Sequence, residues 1–194
     1  SILGLDINKR IFAFYETYAC GRGSKHDDDG ADPHQTHMTN TRNAPVEIIE
    51  LEYPIKVNEY KLVTDSGGAG KFRGGVGLRR EMTCLVPSTV SMIRHRPETG
   101  PYGLFGGKKG ETDLGGLLGG SVLTFAKVEP GTKLFIQTSG GGGWGDPFER
   151  DIEKVEWDSL NGYISLAEAR DRYGVVINPK TYKAKRETKL RRKK

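Results

Sequence analysis

Glycine crowding constrains this chain more than any other feature. Of its 27 glycines, 21 fall between Gly67 and Gly145, in blocks: Gly67-Gly68-Ala69-Gly70, Gly74-Gly75-Val76-Gly77, Gly106-Gly107, Gly115-Gly116, Gly119-Gly120 and Gly140 to Gly143. The blocks follow no fixed period, so they do not mark a repeat protein. Glycine allows positive φ and lets two backbones approach with no Cβ between them. Blocks placed between strands therefore predict tight turns or closely packed chains. Hydrophobic residues make up only 35% of the sequence, below the usual globular share. A chain this poor in apolar side chains buries a limited core alone, which suits a piece that packs on a partner.

Around the glycines the pattern is β. Ile11-Phe12-Ala13-Phe14-Tyr15 alternates as a strand does. Residues 21–45 are polar and loop-like, and a loop that long is often functional. From Val46 onward the reading is β: Ile55 to Leu62 with one register slip, then Leu78, Met82, Cys84 and Val86 on one face, then Val90 to Ile93, Val122 to Val128, and Leu134 with Ile136. Composition changes at Asp146. Asp146-Pro147-Phe148-Glu149 predicts a helix start, with Asp as N-cap and Pro at the first position, running to about Leu160. Ser165-Leu166-Ala167-Glu168 is a capping box for a second short helix, with Gly174 as its stop. The predicted fold is α+β, mainly β: an antiparallel sandwich or barrel-like body with a small C-terminal helical appendage. The expected divisions are a glycine-rich β body over 1–145, the helical appendage over 146–182 and a basic tail over 183–194.

The net charge of +5 belongs to that tail: residues 183–194 carry eight Lys or Arg and one Glu, a net of +7, which leaves the body at −2. A solvated terminus explains such a run better than a nucleic-acid contact, because Tyr182 is its lone aromatic neighbour. No run reaches the length of a membrane span. Lys9 and Arg10 interrupt the short apolar start, unlike a secretory leader. Cys20 and Cys84 form no CxxC pair, which points to a reduced, cytoplasmic setting with thiols as apolar fillers.

Several motifs carry chemistry, each beside a plainer reading. Asp65 to Phe72 looks like a phosphate loop but lacks the first glycine, has Phe72 where Ser or Thr is needed, and leads into a strand. His34 and His37 stand three apart, able to face one metal with oxygens from Asp29 and Asp32, or simply to order a polar loop. Thr39-Asn40-Thr41-Arg42-Asn43 can anchor a carboxylate or an anionic intermediate through Arg42, or it can cap itself. Gly140 to Gly143 before Trp144 can present amides to an oxyanion, or mark where two backbones touch.

The ordered set of these blocks resembles one family. His37-Met38-Thr39-Asn40-Thr41-Arg42-Asn43 with Pro45 and Glu47, Asp65 to Gly70 with Arg73-Gly74-Gly75, Gly103-Leu104-Phe105-Gly106-Gly107, and Gly140 to Gly145 are similar to blocks of the hydantoinase B/oxoprolinase family. Tyr15-Glu16-Thr17 upstream, and Asp146 to Arg150 and Tyr173 to Val176 downstream, extend the likeness over nearly the whole chain.

The resemblance implies a role within a complex. Such subunits work with a hydantoinase A-type partner of the actin-like ATPase class, which holds ATP and Mg and phosphorylates the substrate. The B-type subunit then hydrolyses the activated cyclic amide or, in acetophenone- and acetone-type carboxylases, carboxylates a ketone. The family's metal cluster (Zn, Mn or Fe) lies in an N-terminal part with no counterpart here, so that portion of a B-type subunit is the other expected partner. The metal ligands of this chain stay unknown. The candidate catalytic residues are His34 and His37 for polarisation or proton transfer, with Asn40 and Arg42 anchoring a small-molecule substrate. The alternatives are a carboxylase subunit and a non-catalytic assembly module.

Overall fold

The computed structural model describes residues 1–36, 39–94, 97–117 and 125–186. Its body is two antiparallel four-stranded sheets. One has the order β2-β1-β5-β7, from β1 (Ile2–Leu5), β2 (Ile11–Phe14), β5 (Ser88–Ser91) and β7 (Phe125–Val128). The other has the order β3-β4-β8-β6, from β3 (Ile55–Leu62), β4 (Leu78–Cys84), β6 (Leu114–Leu117) and β8 (Lys133–Gln137). Inward residues of both sheets, Phe12, Phe14 and Val90 from one and Met82, Cys84 and Leu134 from the other, share a single apolar core. The arrangement is thus an open sandwich, as the alternation predicted, and not a closed barrel. The register slip read in β3 is a bulge between Val57 and Glu59. Two strands of this body escaped the pattern, as did both strands of the C-terminal hairpin. β1 carries Gly4, and β6 is half glycine, which removes the side chains that make alternation legible.

Residues 46–52 correct the sequence reading: Val46–Glu52 is a helix, α1, and not the start of a strand. Pro45 stands just before its first turn and Glu47 lies within it, both suited to a helix start. Ile49 is its one buried residue, so a periodic stripe was never there to read. The helix predicted from Pro147 to Leu160 is split into a 3-10 turn, Pro147–Glu149, and α2 (Ile152–Leu160). Asp146 caps the turn, accepting from the Phe148 amide at 3.0 Å. Arg150 and Asp151 are extended between the two pieces. α3 (Leu166–Tyr173) is capped by Ser165, which accepts from the Glu168 amide at 3.1 Å, and ends at Gly174 with φ +65°. A small hairpin of β9 (Val175–Ile177) and β10 (Ala184–Arg186) closes this C-terminal layer. Among the described residues no helix is long and apolar enough to cross a membrane.

Between the sandwich and the C-terminal layer lies the glycine region, a bundle of extended chains that is neither helix nor sheet. Gly140 to Gly143 are all buried at its centre. A Cβ on Gly140 would meet the Ser66 carbonyl oxygen at 1.8 Å, and one on Gly143 the Ala69 oxygen at 2.3 Å. A Cβ on Gly141 would meet the Arg22 oxygen at 1.8 Å, and one on Gly142 the Tyr102 oxygen at 1.9 Å. The same neighbouring segment recurs after three residues, the period of polyproline II. Hydrogen bonds cross-link the segments: Gly141 N to Gly75 O at 2.8 Å, Gly68 N to Gly141 O at 2.8 Å, and Gly143 N to Lys108 O at 2.9 Å. These four glycines are absent from the positive-φ set. They are needed for space, not for a left-handed turn. The oxyanion reading of Gly140 to Gly143 therefore fails: the block is buried, and two of its amides already bond to carbonyls.

A buried ionic cluster ties the C-terminal layer to this bundle. Arg150 is 1% exposed and grips Asp29 with two bonds of 2.7 and 2.9 Å, and Asp158 with two of 3.0 and 2.7 Å. Arg73 bonds Asp32 at 3.1 Å and Asp158 at 3.3 Å. The split of the predicted helix follows, since an extended Arg150 can point inward where a helical one would turn with its neighbours. Burial alone would raise the Asp29 carboxyl, but Arg150 and Arg73 outweigh it and hold the group below its ordinary value. A depressed folded-state pKa means stability that is present above the unfolded value and lost as pH falls through the folded one. Wild-type unfolding free energy should therefore show an acid loss that Asp29→Asn lacks. Chemical denaturation of both proteins from pH 6 down to about 2 checks this, and parallel curves would refute it.

Candidate functional site

The polar loop closes one wall of an open cleft of ≈ 730 Å³. His34, Asn40 and Arg42 line it, facing Tyr60 and Lys61 of β3, with Leu62 and Leu78 as apolar floor. The volume suits a small molecule. The lining holds the fixed cations Arg42 and Lys61 and no carboxylate among the described residues. Lys61 is already paired with Glu59, which leaves Arg42 as the available cation. The side chains of His34, Asn40 and Arg42 are exposed and make no hydrogen bond or ion pair within the chain among the described residues. Asn40 sits at φ +39°, a left-handed conformation that Asn tolerates better than most residues and that recurs at binding sites. His37 lies outside the described residues.

The rest of the loop does what a self-capping segment does. Thr41 Oγ1 donates to Gln35 Oε1 at 2.8 Å, and Gln35 Nε2 donates to the Thr17 carbonyl at 3.0 Å. Asn43 Nδ2 donates to that same carbonyl at 2.9 Å. Both readings of residues 39–43 therefore hold at different positions: Thr41 and Asn43 tie the loop down, while Asn40 and Arg42 are left to face the cleft. Glu16 and Thr17 were recognisable in the sequence only as part of an upstream motif. Glu16 accepts from the Ala44 amide at 2.6 Å and pairs with Arg80. Arg80 had a readable signal that was missed: it stands two residues from both Leu78 and Met82, on the inward face of an alternating strand.

Asp29 and Asp32 do not serve as oxygens beside His34. Their carboxylates are committed to Arg150 and Arg73, and two guanidiniums leave no room for a cation's charge. No group of three His, Cys, Asp or Glu able to hold a metal occurs among the described residues. The Asp65 to Phe72 stretch offers no phosphate cradle, since Ser66 to Gly70 are buried in the glycine bundle. The Asp29, Asp32 and His34 set thus does not fit a metal, and the Asp65 to Phe72 stretch does not fit a nucleotide's phosphates.

Sequence and fold comparisons agree on a class. The hydantoinase B/oxoprolinase family model matches residues 2–147. An uncharacterised protein of Methanocaldococcus jannaschii is 40% identical over 177 residues, covering 88% of this chain and 31% of that protein. The caprolactamase subunit beta of Pseudomonas jessenii is 37% identical over 145 residues, covering 69% of this chain and 25% of the subunit. The crystal structure of that ATP-dependent caprolactamase superposes with TM-score 0.68 and 32% identity, over 83% of this chain and 30% of that one. The nucleotide-free acetone carboxylase superposes with TM-score 0.79 over 97% of this chain and 31% of that one, at 20% identity, a likeness of fold alone. The chain belongs to the hydantoinase B/oxoprolinase family. It spans about a third or less of the length of these relatives.

Proposed function

We propose that this chain is part of an ATP-dependent complex of hydantoinase/oxoprolinase type that hydrolyses a cyclic amide. In this reading an actin-like ATPase partner phosphorylates the substrate and the remainder of a B-type subunit supplies a divalent metal. The ATP dependence of the related caprolactamase supports it. The observation that carries it is the cleft itself, where Arg42 and the unbonded side chains of His34 and Asn40 meet a wall without carboxylates. A guanidinium is suited to the carboxylate or phosphate of an activated substrate. Asn40 adds an amide donor to the same group. His34, and with it His37, takes a proton from the water that adds to the phosphorylated carbon and gives one to the departing nitrogen as the ring C–N bond breaks; a second water then hydrolyses the acyl phosphate to carboxylate and phosphate.

The test uses the complex assembled with its ATPase partner. His34→Ala should lower turnover about 100-fold or more, the usual worth of a positioned acid or base. Arg42→Ala should act chiefly on KM, with assembly unchanged. Wild-type turnover in both variants would reject the proposal in favour of an assembly module. A ketone consumed with bicarbonate, and no ring amide opened, would reject it in favour of an acetone-type carboxylase.

A further inference from the structure

Arg80 is fully buried in β4, the strand held on both sides within its sheet, where it stands opposite Tyr60 of β3 and Ile136 of β8. Its guanidinium carbon lies over the Tyr60 ring, 4.4 Å from the centroid, and over the Tyr18 ring, 5.6 Å from the centroid. Nη1 is paired with Glu16. Nε and Nη2 find no acceptor in hydrogen-bonding geometry among the described residues. That is a poor choice for stability: orphaned donors on a buried charge are costly, and replacing a whole buried ion pair by apolar residues is often neutral or better.

What Arg80 does accomplish is geometric. Two contacts lead from it to the same point. Through Glu16 it reaches the Ala44 amide, accepted at 2.6 Å. Through Tyr60, whose hydroxyl donates to Asn43 Oδ1 at 3.3 Å, it reaches the neighbouring residue. Asn43 and Ala44 are the root of the segment that presents Asn40 and Arg42 to the cleft. We infer that Arg80 is the positioning residue of the cleft, a strut that fixes the loop root to the centre of the sheet. Its effect on turnover rests on the function proposed above; its effect on the loop does not.

The test has two arms. In this chain, Arg80→Met should fold with a lower midpoint, since Glu16 is left without its buried partner, and the Ala44 amide should exchange hydrogen about tenfold faster or more than that fall in global stability accounts for, because a bond to a charged acceptor loses its support. In the assembled complex the same variant should lose about 100-fold in kcat/KM, the scale of a 1 Å misplacement. Tyr60→Phe, which keeps the ring and loses the hydroxyl, should show both effects at smaller amplitude. Should Arg80→Met fail to fold, Tyr60→Phe decides the loop claim: wild-type exchange at Asn43 and Ala44 overturns it. Wild-type exchange and turnover in Arg80→Met overturn the inference while crippled His34→Ala and Arg42→Ala variants leave the proposed function standing. Faster exchange with wild-type turnover in all variants overturns the proposed function and keeps the strut.

Discussion

Gly141→Ala should destabilise the fold severely, whereas Gly23→Ala should pass unnoticed. Both residues lie in the same bundle, and both swaps add one methyl group. At Gly141 the new Cβ would sit 1.8 Å from the Arg22 oxygen and 2.1 Å from its carbon. These are backbone atoms, and no rotamer change relieves them, so two chains must separate. Gly141 also donates to Gly75 and accepts from Gly68, so a shift breaks cross-links on two further sides. Overpacking commonly costs 1–3 kcal/mol, and here roughly 4 kcal/mol or more is expected, a midpoint loss of about 10–15 °C. At Gly23 the nearest atom is the Gly142 oxygen at 3.9 Å, an ordinary contact. That variant should stay within about 1 kcal/mol of wild type and can gain from a stiffer unfolded chain. Thermal unfolding of the two variants side by side checks the pair. Equal midpoints would mean that the glycines are not packed as described.

Asp158→Asn comes next in expected size. Its side chain is 3% exposed and takes bonds from Arg73 and from two nitrogens of Arg150, themselves 5% and 1% exposed. Burial raises the Asp158 carboxyl above its ordinary value, against the pull of Arg150 and Arg73. Asparagine keeps the shape of the carboxylate but leaves two buried guanidiniums charged with one counter-charge gone. Removing one partner from a buried ionic cluster costs about 3–5 kcal/mol. The C-terminal layer should loosen first, since Arg150 is its clasp on Asp29. Limited proteolysis that cuts after Arg150 in the variant, with the sandwich still protected, is the expected pattern. A midpoint within a degree or two of wild type would show that the cluster contributes nothing.

Local rules carried much of the fold because they act within a few residues. The caps at Asp146 and Ser165, the stop at Gly174 and the alternation of β4 are all one-turn or two-residue effects, and each stands where the chain chemistry put it. α1 failed the same rules because a seven-residue helix with one buried side chain has almost no period to read. Arg150 failed them for a different reason. Helix-start signals on Pro147 and Glu149 were correct, but the gain from pairing with Asp29, 121 residues away, outweighed one more turn of helix.

The cleft divides in the same way. That residues 39–43 mix tethers and free donors follows from their composition, and a cation at Arg42 was plain. Which of them face inward depended on Gln35, Thr17 and Glu16, partners brought together only by folding.

The chain by itself determined that its glycines mark tight turns or close backbone approaches, that strands alternate around them, and that capped helices follow. Only the tertiary structure decided which backbones meet, because a missing Cβ says that something comes close and not what. It alone also decided that Asp29 and Asp32 serve two arginines and not a metal, since a carboxylate's partner is set by distance in space and not along the chain.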